Sequence, residues 1–132
     1  MPDDVQARNR AVLAPVRQAQ YDYDPDRVRA TLAQAFAPGA VVHLATPFED
    51  LDGPGELYAR AYQPLHAAIP DLERRDWIVL AGPSADGADW VGCCGTYTGT
   101  FTRPWLDIPP TGHQVAMRFH EFYRLENGRI VE

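Results

Sequence analysis

From Gly95 onward the chain reads GTYTGTFTRPWLDIPPTGHQVAMRFHEFYRLENGRIVE, and few folds accommodate that stretch. Asn127-Gly128 is the strongest short hairpin signal in the sequence, because both residues tolerate the positive φ that a two-residue turn between twisted strands requires. It predicts that Arg129–Glu132 fold back onto a strand over His113–Leu125. The Pro/Gly-rich segment TRPWLDIPPTG separates that strand from another over Asp89–Phe101, and GPSADGAD separates the latter from one over Leu72–Ala81. The expected outcome is an antiparallel meander whose final strand is short or truncated.

The first half carries helical periodicity instead. Val5, Val12, Leu13 and Val16 form an apolar stripe, with Pro15 expected to end or bend the helix. Asp24-Pro25 combines an N-cap residue with proline at the first helical position. Val28, Leu32, Ala35 and Phe36 follow at helical spacing until Pro38-Gly39. A short strand is expected over Ala40–Ala45. A third helix begins at Asp52-Gly53-Pro54, runs along Tyr58, Tyr62, Leu65 and Ile69, and stops before Pro70, with a kink expected at Pro64. Helices first and strands afterwards predict an α+β fold, with helices on one side of a curved sheet and residues 1–132 forming one domain.

Composition narrows the function. A net charge of -6 opposes nonspecific nucleic-acid binding, which depends on clustered cations. No apolar run approaches the ~20 residues needed to span a membrane, and the polar start MPDDVQARNR does not resemble a signal peptide. A cytoplasmic protein is expected. Cys93 and Cys94 are adjacent, so they point to opposite faces of a strand and are expected as free thiols. The four histidines are scattered without metal-ligand spacing, and no phosphate loop, nucleophile elbow or dinucleotide fingerprint is present. Neither a metal nor a cofactor is expected.

Several segments, in order, resemble the SnoaL-like polyketide cyclase family of the nuclear transport factor 2-like superfamily. They are Val41-Val42-His43, the helix start at Gly53, Ala68-Ile69-Pro70-Asp71-Leu72, Gly95-Thr96-Tyr97-Thr98-Gly99, Ile108-Pro109-Pro110-Thr111-Gly112, Tyr123-Arg124 and Glu126–Glu132. The resemblance implies a cone-like curved sheet closed by helices around a deep, mostly apolar pocket. It also implies a homodimer formed through the outer sheet face. This chain has Tyr97 where the family often has His, and Glu121 where the usual strand acid is Asp.

Glu121 is the residue of greatest chemical interest. Alternation along its strand puts Val115, Met117, Phe119, Glu121, Tyr123 and Leu125 on one face, and Ala116, Arg118, His120, Phe122 and Arg124 on the other. The first set is the more apolar and should face the pocket, where a carboxylate would be desolvated and poised as a base. An enolate formed there needs a hydrogen-bond donor, for which Tyr97, His43 and His66 are candidates. Tyr62 could line the pocket mouth, and Trp105, in the Pro-rich loop, could close over a ligand. A wet or hydrogen-bonded structural glutamate is the competing interpretation of Glu121.

Three functions fit this pattern. The first is cofactor-free acid/base chemistry of the cyclase, aldol or isomerase type on a small apolar or aromatic carbonyl compound. The second is a noncatalytic ligand-binding module. The third, epoxide opening, wants an acid–arginine–acid relay in the pocket and is disfavoured, because Arg118 faces away from Glu121.

Overall fold

The computed structural model describes residues 2–132. Helices α1 (Pro2–Tyr21) and α2 (Pro25–Ala35) precede a two-stranded antiparallel ribbon, β1 (Val41–His43) and β2 (Asp50–Asp52). A helical segment then runs through α3 (Gly53–Leu57), a π-helical turn (Tyr58–Tyr62) and α4 (Gln63–Ala68). Strands β3 (Glu73–Pro83), β4 (Asp89–Thr100), β5 (Gln114–Glu126) and β6 (Arg129–Ile130) form the antiparallel meander in the order β3-β4-β5-β6. The α+β architecture expected from the sequence is present.

The two helical prolines behave differently, and the helix end expected at Pro15 needs correction. Helix α1 continues through Pro15. Burial of Leu13, Val16, Ala19 and Gln20 on one face outweighs the hydrogen bond that proline cannot donate. At Pro64 the chain relaxes differently. The preceding turn widens to π spacing, with the Gln63 amide bonding the Tyr58 carbonyl five residues back. Such turns recur at functional sites, and this one ends on Tyr62, whose side chain is buried. The cap at Asp24 forms as expected, accepting from the amides of Asp26 and Arg27 at 3.0 and 3.3 Å.

The sheet is bent by an irregularity in β3 between Asp76 and Ile78. Before it, Leu72 and Arg74 are buried. After it, Trp77, Ile78 and Leu80 are all exposed, so the alternation changes phase at the bulge. Gly95 makes the close approach possible: a Cβ there would overlap the Arg75 carbonyl on β3. Gly99, the second glycine of GTYTG, leaves room for Ile69 and Asp71. Asp71 accepts from the Thr100 amide and hydroxyl at 2.6 and 2.8 Å, fastening the end of the helical layer to β4.

The Asn127-Gly128 turn has φ of 52° and 76°, as the hairpin requires. Ile130 beyond it is fully buried. The C-terminal residues join β5 on one side and the segment after α2 on the other, through Ala37 to Ile130 and Val41 to Val131 backbone bonds of 2.7 and 3.2 Å. This seam closes one wall of the cone. Cys93 and Cys94 are both free thiols, one buried and one half-buried.

Candidate functional site

On β5 the observed burial follows the predicted alternation: Phe119, Tyr123 and Leu125 are buried, whereas Ala116, Arg118, His120 and Phe122 are exposed. Glu121 therefore points inward, with 19% of its side chain exposed. It does not stand in the dry apolar surroundings expected from the strand pattern. Arg74, whose side chain is fully buried, lies on the same interior surface and compensates it.

The Arg74 guanidinium is the hub of a polar cluster. Its Nη2 contacts Glu121 Oε2 at 2.8 Å and Asp76 Oδ1 at 3.0 Å. Its Nη1 donates to Gln20 Oε1 at 3.3 Å and to the Tyr97 hydroxyl oxygen at 3.4 Å. The guanidinium plane also lies 4.2 Å from the Phe119 ring centroid, an arrangement that favours arginine over lysine. Asp76 is held from its other side by Arg17 at 3.1 Å. Epoxide opening was disfavoured for want of an inward arginine. Arg74 supplies one, between Asp76 and Glu121.

The two oxygens of Glu121 are unequally engaged. Oε2 accepts from Arg74 and from the Tyr123 hydroxyl at 2.6 Å. Oε1 has only two long contacts, to the hydroxyls of Tyr62 and Tyr97, each at 3.4 Å. Long phenol contacts are weak, so Oε2 is anchored and Oε1 is the oxygen available for proton transfer.

A cavity of about 250 Å³ opens onto this carboxylate. Phe36, Val42, Leu57, Tyr62 and Tyr123 form much of its wall, and His43 and Glu132 also line it. Among the predicted site residues, the structure thus brings together Glu121, Tyr62 and His43 at one cavity. His43 is exposed and bonded to Asp50 at 2.7 Å, a contact that raises its pKa. Tyr97 lies behind the carboxylate, buried among Gln20, Arg74 and Phe119, and outside the cavity wall. His66 is also outside it, stacked on Tyr23 at 4.1 Å, with burial lowering its pKa. Trp105 sits in the loop, paired through its backbone with Ile108, again away from the cavity. Sequence reasoning missed Arg74, Asp76, Gln20 and the hydroxyl of Tyr123.

A larger groove of about 720 Å³ runs past Arg8, Asn9, Asp89, Arg124 and Glu126. It contains no member of the Glu121 cluster, so volume alone does not mark the site; convergent polar groups on an apolar wall do. Among the described residues no group of three or more His, Cys, Asp or Glu could hold a metal ion, and no helix is long and apolar enough to cross a membrane.

Burial alone would depress the Arg74 pKa, but the Glu121 carboxylate and the surrounding hydroxyls of Tyr97, Tyr123 and Tyr62 together outweigh it, and the guanidinium stays charged. Burial, and then the neighbouring Glu121 charge, raises the pKa of Tyr62 and Tyr123; burial and then Tyr62 raise that of Tyr97. All three phenols are therefore neutral donors at pH 7. Burial also pushes the Cys93 thiol up to about 11. These groups favour the fold in their neutral forms, so their contribution is complete below the ordinary tyrosine and thiol ranges. It is lost as pH rises through the folded values. Stability measured by denaturant titration should fall steadily above about pH 9–10, with phenolate absorbance from these tyrosines appearing only on unfolding.

The profile of the family described as SnoaL-like polyketide cyclase matches residues 17–132. Among solved structures, a candidate SnoaL-like polyketide cyclase from Jannaschia sp. CCS1 is similar with a TM-score of 0.75 and 20% identity, over 96% of this chain and 83% of that one. IdmH from Streptomyces antibioticus, a candidate polyketide cyclase, gives 0.69 and 25%, over 93% and 86%. A nuclear transport factor 2-like protein from Burkholderia thailandensis E264 gives 0.67 and 21%, over 93% and 85%. No curated protein matches the sequence.

Proposed function

Because this chain belongs to the SnoaL-like polyketide cyclase family, we propose that it carries out cofactor-free proton transfer on a small apolar or aromatic carbonyl compound. Glu121 Oε1 takes a proton from the carbon beside the carbonyl. The C–H electron pair moves into the enolate, whose oxygen accepts a hydrogen bond from the Tyr62 hydroxyl. The enolate carbon then attacks a second carbonyl of the same molecule, closing a ring, and the acid form of Glu121 returns its proton to the alkoxide so formed. Where a conjugated double bond extends the enolate, the proton returns instead to the remote carbon, shifting the double bond. The observation that carries this reading is the weakly engaged Oε1 beside a neutral phenol at the cavity surface. A cavity of about 250 Å³ lies just below the ~300–1,000 Å³ of drug-sized sites, which favours a ligand of one or two rings.

The direct test is solvent-deuterium exchange at the carbon beside the carbonyl, followed by NMR on a panel of one- and two-ring ketones. Exchange catalysed by the protein supports the reading. Ketones that bind without exchanging would instead favour a noncatalytic binding module. Water-driven epoxide opening is a second reading, favoured by the Asp76–Arg74–Glu121 chain. It ranks lower because Asp76 and Arg74 are absent from the cavity wall, leaving Asp76 no route to a leaving oxygen.

The partner proposed for the outer sheet face is a second copy of the chain. Trp77, Ile78, Leu80 and Phe122 are each more than half exposed there, and Leu80 and Phe122 flank Gly92 in one cross-strand row. An apolar patch of this kind marks an interaction surface. Leu80→Glu is expected to convert a dimer to a monomer in sedimentation experiments without lowering thermal stability of the protomer. A wild-type protein that sediments as a monomer at all concentrations would remove this proposal.

A further inference from the structure

Gln20 is fully buried near the end of α1, on an element that contributes no residue to the cavity wall. Its Oε1 accepts from the Tyr97 hydroxyl at 2.9 Å and from Arg74 Nη1 at 3.3 Å. Tyr97 has one phenolic proton, with Gln20 Oε1 at 2.9 Å, Glu121 Oε1 at 3.4 Å and the Tyr62 hydroxyl in reach. A hydroxyl donates to the nearer, better placed acceptor. We infer that Gln20 is a positioning residue: it draws the Tyr97 proton away from Glu121 and so keeps Oε1 free for proton transfer. The catalytic consequence rests on the role of Glu121 proposed above; the hydrogen-bond arrangement itself does not.

The logic is one of competition. A carboxylate that accepts an additional hydrogen bond holds a proton less readily and is a weaker base. Oε2 already has Arg74 and Tyr123. A third firm donor, on Oε1, would leave neither oxygen of this cavity-lining carboxylate free. The amide oxygen of Gln20 prevents this while carrying no charge of its own, so it adds no repulsion beside Asp76 and Glu121. The other charged and titratable groups around the carboxylate are Arg74 and Asp76 on β3, Cys93 and Tyr97 on β4, Tyr123 on β5 and Tyr62 on the helical layer. Arg17 stands behind Asp76, and His43 and Glu132 line the cavity.

The experiment follows the carboxyl-carbon NMR signal of Glu121 against pH in the whole protein, assigned by its loss in Glu121→Gln. In Tyr97→Phe the midpoint should stay where it is in the wild type, because the lost proton served Gln20. In Gln20→Leu the Tyr97 proton turns to Oε1, and the midpoint should fall by roughly half a unit to one unit, the effect of one neutral donor. Adding Tyr97→Phe to Gln20→Leu should return it to the wild-type value. A rise in Tyr97→Phe alone overturns the inference, since it means Tyr97 already donates to Glu121. That single variant decides the matter even where Gln20→Leu does not fold. These outcomes need no substrate, so they leave the identity of the base to the exchange experiment.

Discussion

Glu121→Gln is expected to slow exchange at the ketone carbon by about 10²–10⁴-fold, the usual contribution of a positioned general base, while ligand affinity changes little. The amide has the same shape, and its oxygen can still accept from Arg74 and Tyr123, where Oε2 now does. Its NH₂ then faces Tyr62, whose hydroxyl oxygen is an adequate acceptor. The cavity wall is thus preserved and only the proton acceptor is removed. A loss confined to kcat, with KM held, is the signature of a group acting in the transition state. Equal exchange by wild type and variant would rule out Glu121 as the base. Tyr62→Phe should act in the same direction but less steeply, because the enolate loses one donor and the base remains.

How much of this site was legible in the sequence depends on where alternation holds. On β5 it holds throughout, so Glu121 and Tyr123 could be placed on the interior face from spacing alone. On β3 it breaks. Counting back in steps of two from the inward Val79 assigns Trp77, Arg75 and Glu73 to the interior and leaves Arg74 outside. The irregularity after Asp76 reverses that parity, and ERRD, which reads as a solvated charge run, buries its second and fourth residues deeply enough to build the cluster. Gly95 was the available clue: a glycine inside a strand often marks a bulge or a close backbone approach. Gln20 was hidden for another reason. An apolar stripe predicts which helical face is buried, but it does not identify a polar residue on that face whose partners lie on a sheet far along the chain. The fold, by contrast, rested on turn chemistry and helix caps, which are local. Those are the features that survived, at Asp24-Pro25 and Asn127-Gly128, while the helix end expected at Pro15 yielded to packing.

Arg74→Met should be the most destabilising single change in the cluster. Arg74 touches Glu121, Asp76, Gln20 and Tyr97; methionine fills part of its volume and satisfies none of them. Removing one partner of a buried ion pair typically costs about 3–5 kcal/mol, and Asp76 keeps Arg17, which places the expected loss toward the lower end. For a domain of this size that corresponds to a fall in Tm of roughly 10–15 °C. A second substitution separates charge from packing. The double variant Arg74→Met/Glu121→Met should recover much of the loss, because it removes the stranded charge along with its partner. If the single variant were as stable as wild type, or the double variant no more stable than the single one, Arg74 would be a packing residue whose charge matters little. The hub of the proposed site would then lie with the tyrosines.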